Sequence, residues 1–260
     1  SRRSTTAVMN TAAMPMTIVT TRAQNRYVRM TNARYFRVDR GRLQCPIYRA
    51  SLPMSWLSTV RLPQPYNPER LAVAWTRWRE TTAVPEDAAG TALLDALFGN
   101  SPYLTETALQ NPSFMADLWR AGPDAVLAQL DQDVETARAE ARSGATPEAV
   151  AARLRRLKRS VSLTVAVADI AGAWPLERIT GTLSRFASAC IDALISAILL
   201  QLEREGNLAL GGDPQAAAFT VLGMGKLGAE ELNYSSDIDL ILLYDREAPA
   251  IAANEQLSRH

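Results

Sequence analysis

Histidine is almost missing from this chain, His260 being the single one, and the two cysteines, Cys45 and Cys190, stand far apart with neither in a Cys-x-x-Cys pair. These scarcities exclude a zinc site, a disulfide scaffold and any triad that relies on histidine. No uninterrupted apolar run is long enough to cross a bilayer, so a membrane protein is not expected. Net charge of either sign is also lacking: 28 Lys+Arg against 27 Asp+Glu leave +1. What remains is 260 residues with 47% hydrophobic and 21% charged side chains, the composition of a soluble globular chain of one large or two ordinary domains.

The neutral total conceals two unlike pieces. Residues 1–53 hold ten arginines (Arg2, Arg3, Arg22, Arg26, Arg29, Arg34, Arg37, Arg40, Arg42, Arg49), no lysine and one acid, Asp39, for a net of +9. The remainder, 18 basic against 26 acidic residues, carries −8. A compositional boundary therefore falls near Met54. The arm shows no sustained periodicity and is broken by Pro15, Gly41, Pro46 and Pro53, so it is expected to be a disordered or non-native arm. Phosphate neutralisation by clustered arginine and organelle targeting are its functional alternatives. The opening Ser1 and the position of Met54 fit an overlong reading from an upstream start.

Residues 54–213 form the second expected unit, a helical region. Pro63, Pro65 and Pro68 punctuate its entry, and apolar spacing predicts a helix over 71–81. A second is predicted over 88–98 with Gly99 as its C-terminal cap. Ser101-Pro102 and Asn111-Pro112 each pair a capping side chain with proline at the first helical position, the latter for a helix over 113–119. Thr146-Pro147-Glu148 opens another, expected to run through Arg159; its basic run (Arg153, Arg155, Arg156, Lys158, Arg159) reads first as a solvated face. From 176 to 205, three-and-four spacing of Ile179, Leu183, Phe186, Cys190, Ile191, Leu194, Ile198 and Leu202 predicts one long helix. Cys190 on its apolar face reads as a structural thiol. Gly206 ends it, and Gly211-Gly212-Asp213-Pro214 is a linker.

Residues 214–260, the third unit, change period. Phe219-Thr220-Val221-Leu222 and the run 238–244 read as buried strands, the second interrupted only by Asp239. Between them lies Gly223-Met224-Gly225-Lys226-Leu227-Gly228. Asp237 and Asp239, at i and i+2, would emerge on one face of a strand. Two adjacent carboxylates repel and pay desolvation, which a divalent cation offsets, and Mg2+ suits one or two carboxylates with waters and phosphate oxygens. The glycines permit close backbone approach to phosphate, and Lys226 adds a positive charge. The glycine turn alone matches neither common phosphate-loop spacing, and acids at strand ends are common. The combination of glycine turn, ten residues and Asp-hydrophobic-Asp resembles the nucleotidyltransferase superfamily that includes DNA polymerase beta.

A narrower resemblance follows from the whole stretch 221–240, with Gly223-Met224-Gly225-Lys226-Leu227-Gly228, Glu231-Leu232-Asn233 and Ser235-Ser236-Asp237-Ile238-Asp239. It resembles the hallmark of the bacterial bifunctional glutamine synthetase adenylyltransferase and adenylyl-removing enzymes. Leu97-Phe98-Gly99-Asn100-Ser101-Pro102-Tyr103-Leu104 is similar to an early helical motif of that family, and Ala168-Asp169-Ile170-Ala171-Gly172-Ala173-Trp174-Pro175-Leu176-Glu177, continuing to Ala187, to its next block. The resemblance covers roughly 71–245 and leaves the arm unmatched.

By that resemblance the fold is a mostly α helical array followed by the start of an α+β nucleotidyltransferase domain, incomplete. Family members carry two such domains joined by a regulatory helical region, and this version of the motif resembles the N-terminal, adenylyl-removing half. The implied reaction is phosphorolysis of an adenylyl-tyrosine on glutamine synthetase to ADP and tyrosine, the whole enzyme also adding AMP from ATP. Implied site residues are Asp237 and Asp239 for Mg2+ and catalysis, and Gly223, Gly225, Lys226, Ser235 and Ser236 near phosphate or nucleotide. Implied partners are glutamine synthetase, ATP/ADP and phosphate, and a PII-type nitrogen signalling protein, in a bacterial cytoplasm, with nucleic acid not expected. Ala229-Glu230 departs from the usual pattern. The third carboxylate that the superfamily places on a later strand has no counterpart in 245–260, so an N-terminal fragment inactive by itself is expected. A nucleotidyltransferase for RNA or a small molecule, or a non-enzymatic helical binding module with a decayed catalytic end, are the alternatives.

Overall fold

The computed structural model describes residues 17–20, 38–39, 42–43, 56–57, 61–81 and 88–252. Most of the basic arm, Met54 at its boundary, Pro85 and residues 253–260 lie outside the described residues.

The helical region is mostly as the capping chemistry dictates. Helix α1 (Pro68–Arg79) starts where Asn67 accepts from the Arg70 amide, and α3 (Pro102–Leu109) where Ser101 accepts from the Leu104 amide, each with proline in its first turn. Helix α2 (Ala88–Asn100) lies between them and runs through Gly99, which is therefore no cap. A Cβ at Gly99 would stand 2.4 Å from the Pro65 Cβ, so this glycine serves close passage of the entry segment.

Helix α4 (Pro112–Arg142) is longer than the expected 113–119 because it resumes after a break: Gly122 is non-helical (φ 79°, ψ 163°) and Pro123 starts the next stretch. The Gly-Pro pair hides a continuing helix from sequence periodicity. Helix α5 (Pro147–Ile170), capped by Thr146 as expected, also outruns its expected end at Arg159. Positions 161–168 are all buried, so that half has no polar face and shows no amphipathic period. Helix α6 (Leu176–Arg204) matches its expectation closely.

Helices α4, α5 and α6 pack together, and α3, itself packed on α1 and α2, lies against α4 and α5. One apolar cluster joins Trp78, Leu97, Phe98, Leu118, Leu163, Val167, Trp174 and Ile179; a second joins Ala137 and Ala141 of α4, Val150 and Leu154 of α5 and Ala193 and Ala197 of α6. By length and composition α6 is apolar enough to span a bilayer. Its Asp192, however, is buried and paired with Arg138 and Arg142 of α4, the arrangement of a core helix.

After a 3-10 turn at Pro214–Ala217, strand β4 (Phe219–Gly223), the one-turn helix α7 (Gly225–Gly228), strand β5 (Leu240–Tyr244) and the short helix α8 (Pro249–Ala252) complete the order. Strands β4 and β5 are antiparallel, Val221 opposite Leu242 and Gly223 opposite Leu240. Two expectations are corrected here. The second strand begins at Leu240, not at residue 238, and it is not buried: Leu240, Ile241, Leu242, Leu243 and Tyr244 are all exposed, because among the described residues β4 is the one element it packs on extensively, and neither of its faces is covered.

The arm, expected without strand pattern, contributes β1 (Thr17–Thr20), antiparallel to β4 with Val19 opposite Val221, and a two-residue pair, β2 (Val38–Asp39) with β3 (Arg42–Leu43). Thr17-Ile18-Val19-Thr20 is wholly β-branched, and four residues are too few to show a period. The free edge of β4 supplies the pairing partner.

Candidate functional site

The site grows from the junction of β4 with its turn. Gly223 ends β4; a Cβ there would stand 3.0 Å from Leu227 Cγ, so its lack of side chain lets α7 fold back on the strand. Leu227 joins Val221 of β4, Ile191 of α6 and Leu232 in a buried cluster. Each such leucine contributes about 1.5–3 kcal/mol by leaving water, which holds the glycine turn on α6.

Gly225 has φ +53° and sits where a Cβ would be 3.8 Å from Asp239 Oδ2. One residue earlier, the Met224 amide donates to the Asp239 carbonyl across 2.9 Å. The glycine turn and the second acid, sixteen positions apart in the expected motif's outer bounds from Gly223 to Asp239, thus meet directly. Asp237 and Asp239, expected on one face of a strand, are both exposed and lie in the loop ahead of β5 instead, so strand alternation does not set their relation.

Lys226 is exposed on α7, and its carbonyl accepts from the Glu231 amide at 2.8 Å. Ser235 and Ser236 form a turn around Asn233. The Ser235 amide donates to Asn233 Oδ1 (3.3 Å), and the Ser236 hydroxyl donates to the same oxygen (2.6 Å) and accepts from the Asn233 amide (3.4 Å). The Ser236 hydroxyl proton is therefore engaged within the loop, while the Ser235 side chain is exposed.

Sequence reasoning missed the groups that hold this loop. The Leu232 amide donates to Ser184 Oγ on α6 at 3.2 Å, and the Tyr234 hydroxyl donates to Asp169 Oδ2 near the end of α5 at 3.3 Å. Burial pushes the Tyr234 phenol up from its ordinary value, and the neighbouring Asp169 carboxylate adds to the shift. A polar residue amid the apolar positions of α6, Ser184 beside Leu183, was the available signal.

Both carboxylates suit a divalent cation. Neither makes a hydrogen bond or ion pair with another described side chain, and the absent side chain of Gly225 leaves open the space facing Asp239. Among the described residues no group of three His, Cys, Asp or Glu stands together; Asp237 and Asp239 are the carboxylates here that could serve a divalent cation such as Mg2+, which takes water or phosphate oxygens as its other ligands.

Comparison with known proteins gives a consistent result. Residues 91–260 match the family model described as glutamate-ammonia ligase adenylyltransferase. The chain is 35% identical over 204 residues to the bifunctional glutamine synthetase adenylyltransferase/adenylyl-removing enzyme of Rhodopseudomonas palustris (strain ATCC BAA-98 / CGA009), which covers 73% of this chain and 20% of that protein. With the enzyme of the same description from Rhizobium meliloti (strain 1021) it shares 39% identity over 173 residues, 65% of this chain and 18% of the relative. The chain thus spans about a fifth of the length of the curated relatives it matches. No solved structure matches it significantly.

Proposed function

The chain belongs to the glutamate-ammonia ligase adenylyltransferase family, and on that premise we propose that it forms the first part of an adenylyl-removing site acting on glutamine synthetase. The observation that carries this reading is the meeting of Met224 and Gly225 with Asp239, an acid beside a glycine turn of the kind that can approach phosphate. The fold belonging to it is the nucleotidyltransferase type, resembling DNA polymerase beta. The relatives' description names both the adding and the removing activity; the Gly-Met-Gly-Lys turn followed by Glu-Leu-Asn supports the removing half.

In the proposed reaction an oxygen of inorganic phosphate attacks the phosphorus of adenylyl-tyrosine. The bond from phosphorus to the tyrosine oxygen breaks, ADP forms, and the phenolate takes a proton. Asp237 and Asp239 would hold Mg2+, which when bound polarises phosphoryl oxygens and neutralises their charge. Gly223 and Gly225 let backbone approach the phosphates, Lys226 supplies positive charge, and the exposed Ser235 hydroxyl is free to donate a hydrogen bond. ATP as the adenylyl donor of the reverse modification and a PII-type regulator belong to the same proposal.

The test is made in this chain extended to the length of its relatives. Asp237→Asn and Asp239→Asn each should lower phosphate-dependent ADP release from adenylylated glutamine synthetase by about a hundredfold or more, with addition of AMP retained. Removal at the unchanged rate in both variants would overturn the assignment.

A further inference from the structure

We propose that Ser184 of α6 and the Tyr234–Asp169 pair are positioning residues, which hold the loop 231–236 on the helical body and thereby set where the Asp237 and Asp239 carboxylates stand. The inference rests on the reading of those two acids as a divalent cation site.

Three observations support it. First, Ser184 is 2% exposed, and its hydroxyl serves two backbones at once: it donates to the Thr180 carbonyl at 2.9 Å and accepts from the Leu232 amide at 3.2 Å. The first bond is available to any serine within a helix, so the second is what distinguishes this site. Leu232 is doubly held, since its side chain also enters the buried cluster with Ile191, Val221 and Leu227. A buried amide needs an acceptor, and α6 provides one where the loop first touches it.

Second, the Tyr234 hydroxyl reaches Asp169 at 3.3 Å, fastening the loop to α5 two residues further on. Asn233, between the two fastenings, closes the turn through Ser236. Third, the loop's far end is fixed by the bond from the Met224 amide to the Asp239 carbonyl. Asp237 and Asp239 are exposed and have no side-chain partner of their own among the described residues. Their placement therefore comes from backbone held at both ends. Preorganised ligands bind a cation more tightly than ligands that must be gathered, because no ordering cost falls on binding.

Mn2+ serves as the probe, with binding to the full 260-residue chain measured by electron paramagnetic resonance and amide exchange of residues 231–239 measured alongside. Ser184→Ala and Tyr234→Phe each should weaken Mn2+ binding by about two- to tenfold, the worth of one net hydrogen bond, and should speed exchange within 231–239 while exchange in α4 to α6 stays unchanged. Wild-type Mn2+ affinity and wild-type loop exchange in both variants would overturn the proposal. Should Ser184→Ala fail to fold, Tyr234→Phe, which removes only the hydroxyl of a residue that is 47% exposed, decides alone. Asp237→Asn and Asp239→Asn separate the two ideas. If they lose Mn2+ while the positioning variants do not, the cation reading stands and the positioning role falls. If they bind Mn2+ as the wild type does, the cation reading falls and loop exchange judges the fastening by itself.

Discussion

Met224 and Asp239 are joined by a main-chain hydrogen bond of 2.9 Å from the amide of the first to the carbonyl of the second. It closes the β4–α7 turn against the lead-in to β5 at the point where the register of the two strands runs out, Gly223 opposite Leu240. The turn's conformation and the acid's position are consequently one structural unit.

Gly225→Ala tests that unit. Gly225 has φ +53°, where a side chain costs about 1–2 kcal/mol, and the added methyl would abut Asp239 Oδ2. The variant should melt about 2–4 °C lower per kcal/mol lost, as followed by circular dichroism, and should bind Mn2+ more weakly. An unchanged melting temperature would show that the turn tolerates a left-handed alanine and does not need glycine.

Asp192 accepts from both Arg138 and Arg142 at 2.8 Å with its side chain 5% exposed. Removing one member of a buried ion pair typically costs 3–5 kcal/mol, but both arginines reach solvent in part and can rehydrate. Asp192→Asn should therefore cost about 2 kcal/mol, read as a lower urea midpoint at unchanged slope. A midpoint equal to the wild type would mean that the pair contributes nothing net to the α4–α6 interface.

Cys190, on α6 beside the second apolar cluster, has its thiol pushed by burial from 9.0 to about 12. The neutral thiol is the form that the folded state favours, so its contribution to stability is complete below pH about 9 and is lost as pH rises towards about 12. The Tyr234 phenol, also raised, acts in the same direction at higher pH. In a Cys45→Ser background, Cys190 should react with a thiol reagent at pH 8 at least about a hundredfold more slowly when folded than when denatured. Equal rates would place the thiol in solvent. Cys190→Ala should also flatten the loss of stability above pH about 9.

Strand β5 exposes a continuous apolar row, Leu242 being 57% exposed, at the outer edge of the β1-β4-β5 sheet. Such an edge is a template for pairing with another chain. The 260-residue chain should associate in a concentration-dependent manner by sedimentation velocity, and Leu242→Lys should reduce that association without lowering the melting temperature. Association unaffected by the lysine would exclude β5 as the contact.

Much of the helical region was legible because caps act locally. Asn67, Ser101 and Thr146 each place a side-chain oxygen where the next turn's amide needs it, and proline follows in all three. What was not legible failed for physical reasons. The break at Gly122-Pro123 imitates a helix end, residues 161–168 are buried all round and so lack a period, and Gly99 looks like a cap although it makes room for Pro65. Strand β1 could not be read from four β-branched residues, because its pairing partner lies about two hundred positions away on β4.

For the candidate site, residue type and spacing alone singled out Gly223, Gly225, Lys226, Asp237 and Asp239, since the proposed phosphate and divalent cation chemistry would need small backbone and paired oxygen donors. Only tertiary structure decided that Gly225 faces Asp239, that Ser236 spends its hydroxyl on Asn233, and that Ser184, Asp169 and Tyr234 belong to the loop's support. The reason is that hydrogen bonds between groups 48 and 65 positions apart leave no periodic trace in sequence; they exist because α5 and α6, packed for their apolar faces, happen to present an oxygen where the loop passes.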